Sequence, residues 1–187
     1  SYHGVTYAEK FGKEGAFITK CTAQLMRDFG SIQSPQNAFL LNLGLESLHV
    51  RMARHCENGL KVAKYLQSDE RIAWVVYPSL EGDENYELAK KYCPNGTCGV
   101  VSFGVKGGRA MAEEFMKNLK IIAIETHVAD ARSCCLHPAS ATHRQMTDEE
   151  LLNAGVSPDL VRLSCGIENA EDLIDDIRGA LDALNIK

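Results

Sequence analysis

One arginine stands out for its setting. Arg162 lies in Leu160-Val-Arg-Leu-Ser-Cys-Gly-Ile167, a mostly apolar, strand-forming stretch. A guanidinium in such a strand needs a partner, because burying the charge alone is very costly. Two partners suit it. One is a local Asp or Glu in an ion pair. The other is a ligand carboxylate, which the planar fork grips with two parallel hydrogen bonds. The residues by themselves leave both open.

Other candidate groups carry less. Cys93 and Cys98 enclose Pro-Asn-Gly-Thr, and thiols at such spacing hold zinc only when a second ligand pair completes the tetrahedron. His127, His137 and His143 are the nearest candidates by sequence, and a turn with incidental thiols is the better reading. Cys134-Cys135 reads as two strand residues facing opposite sides. His49 and His55 fall on a helical stretch, His55 on its apolar stripe, and both read as satisfied interior imidazoles. Gly107-Gly108 precedes a helix but lacks both the Lys-Ser/Thr ending of a phosphate loop and the spacing of a dinucleotide fingerprint. No Gly-x-Ser-x-Gly elbow and no His-Glu-x-x-His pair occurs.

The elements that must position Arg162 follow from periodicity. Residues 1–15 show no clear period. Phe17, Cys21, Leu25 and Phe29 recur at helical spacing, and Gly30 reads as the residue that ends the turn. Ser34 and Pro35 read as N-cap and first helical position. Ala38, Leu41, Leu45, Leu48, Met52, His55, Gly59, Val62 and Leu66 then alternate by threes and fours, which predicts one helix of about nine turns over 35–68. Such length exceeds the usual globular helix, so it is expected to join two bodies.

Beyond it, strands are expected over 72–77, 99–105, 121–128, 134–137 and 161–167. Helices are expected over 86–92 and 109–119, after the capping box Thr147-Asp-Glu-Glu150, and after Asn169. The order β-α-β-α-β-β-α-β-α predicts an α/β (α+β) sandwich with a mixed or antiparallel sheet and helices on one face.

Composition narrows the class. The chain has 187 residues and a net charge of −5 without a Lys/Arg cluster, which argues against nucleic acid. No apolar run approaches the ~20 residues that cross a membrane. The start is not a signal peptide, and it is not Met either, so the expectation is a chain that begins inside a longer protein. Seven cysteines, an odd number, read as reduced thiols of a cytoplasmic protein.

Three stretches resemble the cystathionine γ-synthase-like family of pyridoxal-phosphate (PLP) enzymes of fold type I. The first is Ser34-Pro-Gln-Asn-Ala-Phe-Leu-Leu41 with Gly44-Leu-Glu-Ser-Leu-His49 and Arg54-His-Cys-Glu-Asn-Gly-Leu-Lys-Val-Ala63. The second is His137-Pro-Ala-Ser-Ala-Thr-His143. The third is Gly155-Val-Ser-Pro158 with Leu160-Val-Arg-Leu-Ser-Cys-Gly-Ile-Glu168 and Glu171-Asp-Leu-Ile174. Within the family, Ser1-Tyr-His-Gly4 and Val128-Ala-Asp-Ala-Arg-Ser133 are most similar to the O-acetylhomoserine sulfhydrylase branch.

The resemblance implies a γ-replacement that joins sulfide or a thiol to the four-carbon skeleton of O-acetylhomoserine, with PLP as the electron sink. It matches Arg162 to the family arginine that binds the substrate α-carboxylate. It places His127 where the branch commonly has asparagine, lining the site. His137, Ser140 and Thr142 match a loop-ordering motif. The Schiff-base lysine, the pyridinium-binding Asp and the phosphate-binding groups are implied to lie upstream, in a large domain absent from this chain. Residues 1–34 are then the tail of that domain, 35–68 the interdomain helix and 69–187 the C-terminal α/β domain. The complete enzyme is implied to be a homo-oligomer, typically a tetramer, with an amino-acid substrate. The fragment alone is expected to bind no PLP and to be inactive. The alternatives are a stand-alone ligand-binding or regulatory module of the same shape and, within the family, a cystathionine γ-synthase or methionine γ-lyase.

Overall fold

The computed structural model describes residues 3–185, so Ser1 and Tyr2 of the opening tract lie outside the described residues. The chain divides into two compact units, Ser1–Ser47 and Leu48–Lys187.

The first unit is helical, with α1 (Tyr7–Lys20), a π-helical turn (Cys21–Met26), α2 (Arg27–Phe29) and α3 (Pro35–Glu46). Helix therefore covers 7–15, where no period was visible; Gly12, at φ 69°, interrupts it. Within the π turn, the Thr22 hydroxyl donates to the Ile18 carbonyl at 2.8 Å and competes with the helical ladder. Gly30 ends α2 in the left-handed region, as expected. Ser34 caps α3 by accepting from the Asn37 N–H at 3.2 Å.

The single helix expected over 35–68 is divided. Ser47, at φ −101° and ψ 1°, separates α3 from α4 (Leu48–Ser68). Gly44 and Ser47 are both poor helix formers, and apolar periodicity does not register such a break.

The second unit continues with β1 (Ile72–Val76), α5 (Tyr86–Tyr92), β2 (Val100–Val105), α6 (Gly108–Lys117), β3 (Ala123–Ile124), β4 (Cys134–Leu136), α7 (Asp148–Asn153), β5 (Leu160–Ser164) and α8 (Ala170–Asp182). The strands form one sheet in the order β1-β2-β5-β4-β3. Only β3–β4 is parallel, so the sheet is mixed, in the predicted element order. Side chains alternate across it. Val101, Phe103, Val105, Val161 and Leu163 form one core with Val62 and Leu66 of α4, Phe115 of α6, and Leu173 and Ile177 of α8. Phe103 meets Phe115 edge-on at 5.7 Å between ring centroids.

Helix α4 is fastened to the exit of β5. His55 Nδ1 donates to the Cys165 carbonyl at 2.7 Å, and Asn58 Nδ2 donates to the Gly166 and Glu168 carbonyls, each at 2.9 Å. His55 is thus a core imidazole, as its place on the apolar stripe implied, though its buried Nε2 has no partner among the described residues, and His49, expected inside as well, is exposed. Gly59 permits this approach, since a Cβ there would lie 3.0 Å from the Cys98 carbonyl. None of the described helices is long and apolar enough to cross a membrane.

The opposite sheet face carries Trp74, Gly104, Ser102 and Arg162 in register across β1, β2 and β5. Trp74 Nε1 donates to Asp159 at 2.9 Å directly over Gly104, where a Cβ would lie 2.2 Å from both partners. Gly104→Ala should therefore cost about 2–3 kcal/mol by overpacking. The measurement is urea unfolding followed by the fluorescence of Trp74, the chain's single tryptophan; an unchanged midpoint would show that the face is loosely packed.

Arg71 braces the entry to β1, bonding Asp69 at 2.7 and 2.8 Å and also pairing with Asp182 of α8. These bonds hold the Asp69 carboxyl down at about 2. A depressed folded-state value stabilises the chain above the free carboxyl value of about 4, and that contribution is lost as pH falls towards 2. In Asp69→Asn, stability should lose part of its steepness between about pH 4 and 2, read from denaturation midpoints across that window. An unaltered slope would place the acid sensitivity elsewhere.

Candidate functional site

Strand β5 runs through the middle of the sheet, with Arg162 opposite Ser102 of β2 and Leu136 of β4. Its neighbours Val161 and Leu163 point into the core, so period-2 alternation puts the guanidinium on the other face. The side chain is half-buried. Nη2 donates to the Thr126 carbonyl at 2.9 Å and to the His127 carbonyl at 3.3 Å. Nε is buried, and among the described residues it has no partner. No carboxylate among the described residues forms an ion pair with Arg162. The acids of the adjacent loop are engaged elsewhere, Glu125 with His127 and Arg132, and Asp130 with His127. A cation held by carbonyls alone keeps its full charge and spare donors for an anion.

The loop that supplies those carbonyls was expected to be strand over 121–128. Only Ala123–Ile124 pair as strand. Before them, the Asp176 carboxylate of α8 gathers the N–H groups of Lys120, Ile121 and Ile122 at 2.8, 2.9 and 2.9 Å. After them, the Glu125 N–H makes one more bond to β4, at the Cys135 carbonyl, and residues 126–132 then leave the sheet and are strapped to β5 and its exit. The Ala129 N–H bonds Ser164 Oγ at 3.0 Å, the Ile167 N–H bonds the Ala131 carbonyl at 2.9 Å, and Cys134 Sγ donates to the His127 carbonyl at 3.1 Å. Ala129 sits at φ 59°, a left-handed conformation that costs a non-glycine residue about 1–2 kcal/mol. Below the loop, Glu168 accepts from the Ser133 N–H at 2.6 Å and the Ser133 hydroxyl at 2.9 Å, and that hydroxyl accepts from the Gly166 N–H at 2.7 Å.

His127 contributes its carbonyl to Arg162, while its ring turns outward. Nδ1 lies 3.2 Å from Glu125 and 3.4 Å from Asp130, and the side chain is 62% exposed. Glu125, His127 and Asp130 bring three potential ligand atoms within 4.8 Å of one another. They spend these atoms on each other, with the Arg132 guanidinium 3.5 Å from Glu125. The Asp130 carboxyl is held below its ordinary value, first by the Arg132 N–H at 3.0 Å.

His137 orders its loop, as its motif implied. Nε2 donates to the Pro158 carbonyl at 2.8 Å, which leaves Nδ1 to accept from the Ser140 hydroxyl at 2.8 Å. Thr142 bonds only its neighbour His143 among the described residues, at 2.9 Å.

The thiols offer no nucleophile beside Arg162. Burial raises Cys134, pushes Cys135 up to about 12 and raises Cys165 further. All seven cysteines are free. By its charge and spare donors, the arrangement around Arg162 suits an anion better than a nucleophilic reaction. The straps from Ser164 and Glu168 were not singled out from sequence. Ser164 had a usable signal, since it lies two residues after Arg162 and so on the same strand face.

A family model described as Cys/Met metabolism PLP-dependent enzyme matches residues 6–182. The chain belongs to this Cys/Met metabolism PLP-dependent enzyme family. It is 44% identical to an O-acetyl-L-homoserine sulfhydrylase of Leptospira meyeri, across 97% of this chain and 43% of that protein. It is 42% identical to a homocysteine synthase of Schizosaccharomyces pombe, across 97% of this chain and 42% of that protein. A cystathionine gamma-lyase of Bos taurus is 40% identical over 86% of this chain and 40% of its own length. The fold matches a solved Campylobacter jejuni structure described as an O-acetylhomoserine (thiol)-lyase with an N'-pyridoxyl-lysine-5'-monophosphate. The TM-score is 0.83 at 36% identity, covering 97% of this chain and 43% of that one. The chain thus spans about two fifths of the length of these relatives.

Proposed function

We propose that this chain is the substrate-carboxylate side of a PLP-dependent transferase that makes homocysteine, or methionine, from O-acetylhomoserine and sulfide, or methanethiol. The observation that carries the reading is Arg162. Its guanidinium is anchored by two carbonyls through Nη2, has no ion-pair partner among the described residues, and keeps a buried Nε without one. That donor set suits the α-carboxylate of an amino acid. The similarity to sulfhydrylases and homocysteine synthases supports the γ-replacement.

The cofactor would be held elsewhere. Neither Glu125 to Leu136 nor Leu160 to Glu168 contains a lysine, so the residues around Arg162 do not fit the PLP linkage. In the complete enzyme PLP would supply the electron sink that lets acetate leave and sulfur add. What this chain contributes is orientation: Arg162 holds the substrate by its carboxylate end, and the His127 carbonyl helps to hold Arg162. Binding in one orientation lowers the entropic part of the barrier. The missing cofactor lysine is assigned to an N-terminal domain of the complete protein. Exposed Phe17, Phe29 and Ile32, each at least 75% exposed, support a covering partner. We assign that cover to the rest of the enzyme and to further copies in a homo-oligomer. Free thiols throughout support a cytoplasmic setting.

The test is an assay of the complete protein. Homocysteine should form from O-acetylhomoserine and sulfide, and the 187-residue chain mixed with PLP should show neither turnover nor the visible absorbance of a lysine-linked cofactor. Elimination in place of replacement, or cystathionine as the main product, would move the reading to the lyase or γ-synthase branch. Activity in the chain alone would overturn the division of labour.

A further inference from the structure

We propose that Ser164 is a positioning residue for the Arg162 carboxylate clamp, acting through the left-handed turn at Ala129. The inference rests on the carboxylate role given to Arg162 above and adds a residue to it. Arg162 takes its orientation from two consecutive carbonyls, at Thr126 and His127. The loop that carries those carbonyls is held at His127 by Cys134 Sγ, at 3.1 Å, and two residues further on turns through Ala129, which occupies φ 59° without being glycine. The Ala129 N–H is bonded by one group, Ser164 Oγ at 3.0 Å. Ser164 is 1% exposed and stands on the same face of the same strand as Arg162, opposite Val100 and Cys134. Clamp and strap therefore share one rigid element, two residues apart. The hydroxyl holds a conformation that the local chain disfavours.

The consequence is specific. Without the hydroxyl, Ala129 relaxes towards the ordinary helical or extended regions, and the carbonyls of Thr126 and His127 turn with it. The guanidinium then samples several orientations, and carboxylate binding weakens while the chemistry of a bound substrate is preserved. Glycine takes the left-handed conformation without strain, so it should relieve the need for the strap.

The experiment uses the complete enzyme with Ser164→Ala, Ser164→Ala/Ala129→Gly, Ala129→Val and Arg162→Lys. For Ser164→Ala, KM for the amino-acid substrate should rise about 5- to 20-fold, with kcat within about twofold, as expected for lost uniform binding. The double variant should recover most of the KM. Ala129→Val should reproduce the KM effect from the other side of the bond, and it stands in should Ser164→Ala fail to fold. Amide exchange at Ala129, which needs no turnover, should accelerate in Ser164→Ala. An unchanged KM with faster exchange would make the bond structural and overturn the proposal, as would a fall in kcat alone or absence of rescue by glycine. An unchanged KM in Arg162→Lys would overturn the carboxylate reading itself, a separate failure.

Discussion

Arg162→Ala in the complete enzyme should raise KM for the amino-acid substrate by about 30- to 1,000-fold. The estimate comes from the cost of removing one member of a hydrogen-bonded charge pair in a desolvated site, about 2–4 kcal/mol, at about 1.4 kcal/mol per tenfold. The guanidinium already holds two carbonyls, and under the proposed role its remaining donors take the substrate carboxylate. Alanine removes both functions, so part of the loss will be loosening of the Thr126–His127 segment. Arg162→Lys separates the parts. It keeps the charge but lacks the planar fork, so it should recover some binding without restoring the wild-type KM. His127→Ala should be mild by comparison, because the contact uses the main-chain carbonyl and the ring faces Glu125 and Asp130. Steady-state kinetics at saturating sulfide checks all three. A wild-type KM in Arg162→Ala would end the clamp hypothesis.

The largest stability effect is expected at Asp176. Its carboxylate accepts three consecutive backbone N–H groups at 2.8–2.9 Å and is 8% exposed. In Asp176→Ala those donors lose their acceptor, at about 1–3 kcal/mol for each that stays buried. The total should come to about 3–5 kcal/mol, in the range reserved for broken buried networks. Asp176→Asn keeps the volume but offers one oxygen in place of two, so it should lose less, about 2 kcal/mol. Urea unfolding read by Trp74 measures both. A loss under about 1 kcal/mol for alanine would mean that the 120–122 turn finds other acceptors or water. The effect should also reach the site, since β3 carries this turn into the loop that holds Arg162.

Much of the architecture was legible because local physics decides it. The Ser34 and Asn169 caps, the Thr147–Glu150 capping box and the left-handed Gly30 are written in residues whose side chains or backbone freedom act within a turn. Helix α5 falls at 86–92 as its pattern indicates. The division at Ser47 is not legible because apolar spacing runs straight across it. The helix over 7–15 is not legible either, because it has no buried face to imprint a period. The expected strand over 121–128 shrank to two residues because Asp176 and Ser164, distant in sequence, compete for its backbone groups.

The same division runs through Arg162. Its residue type and its place in an apolar strand were sufficient to demand a partner, because an unpaired buried cation is costly wherever it sits. Which partner it has was a matter of distance between segments far apart in the chain. Tertiary structure placed two carbonyls from residues 126 and 127 on Nη2 and engaged the loop's acids with His127 and Arg132. No spacing rule within one strand encodes such an arrangement. It follows from the register of β5 against β4 and from a strained turn that a serine two residues away holds in place.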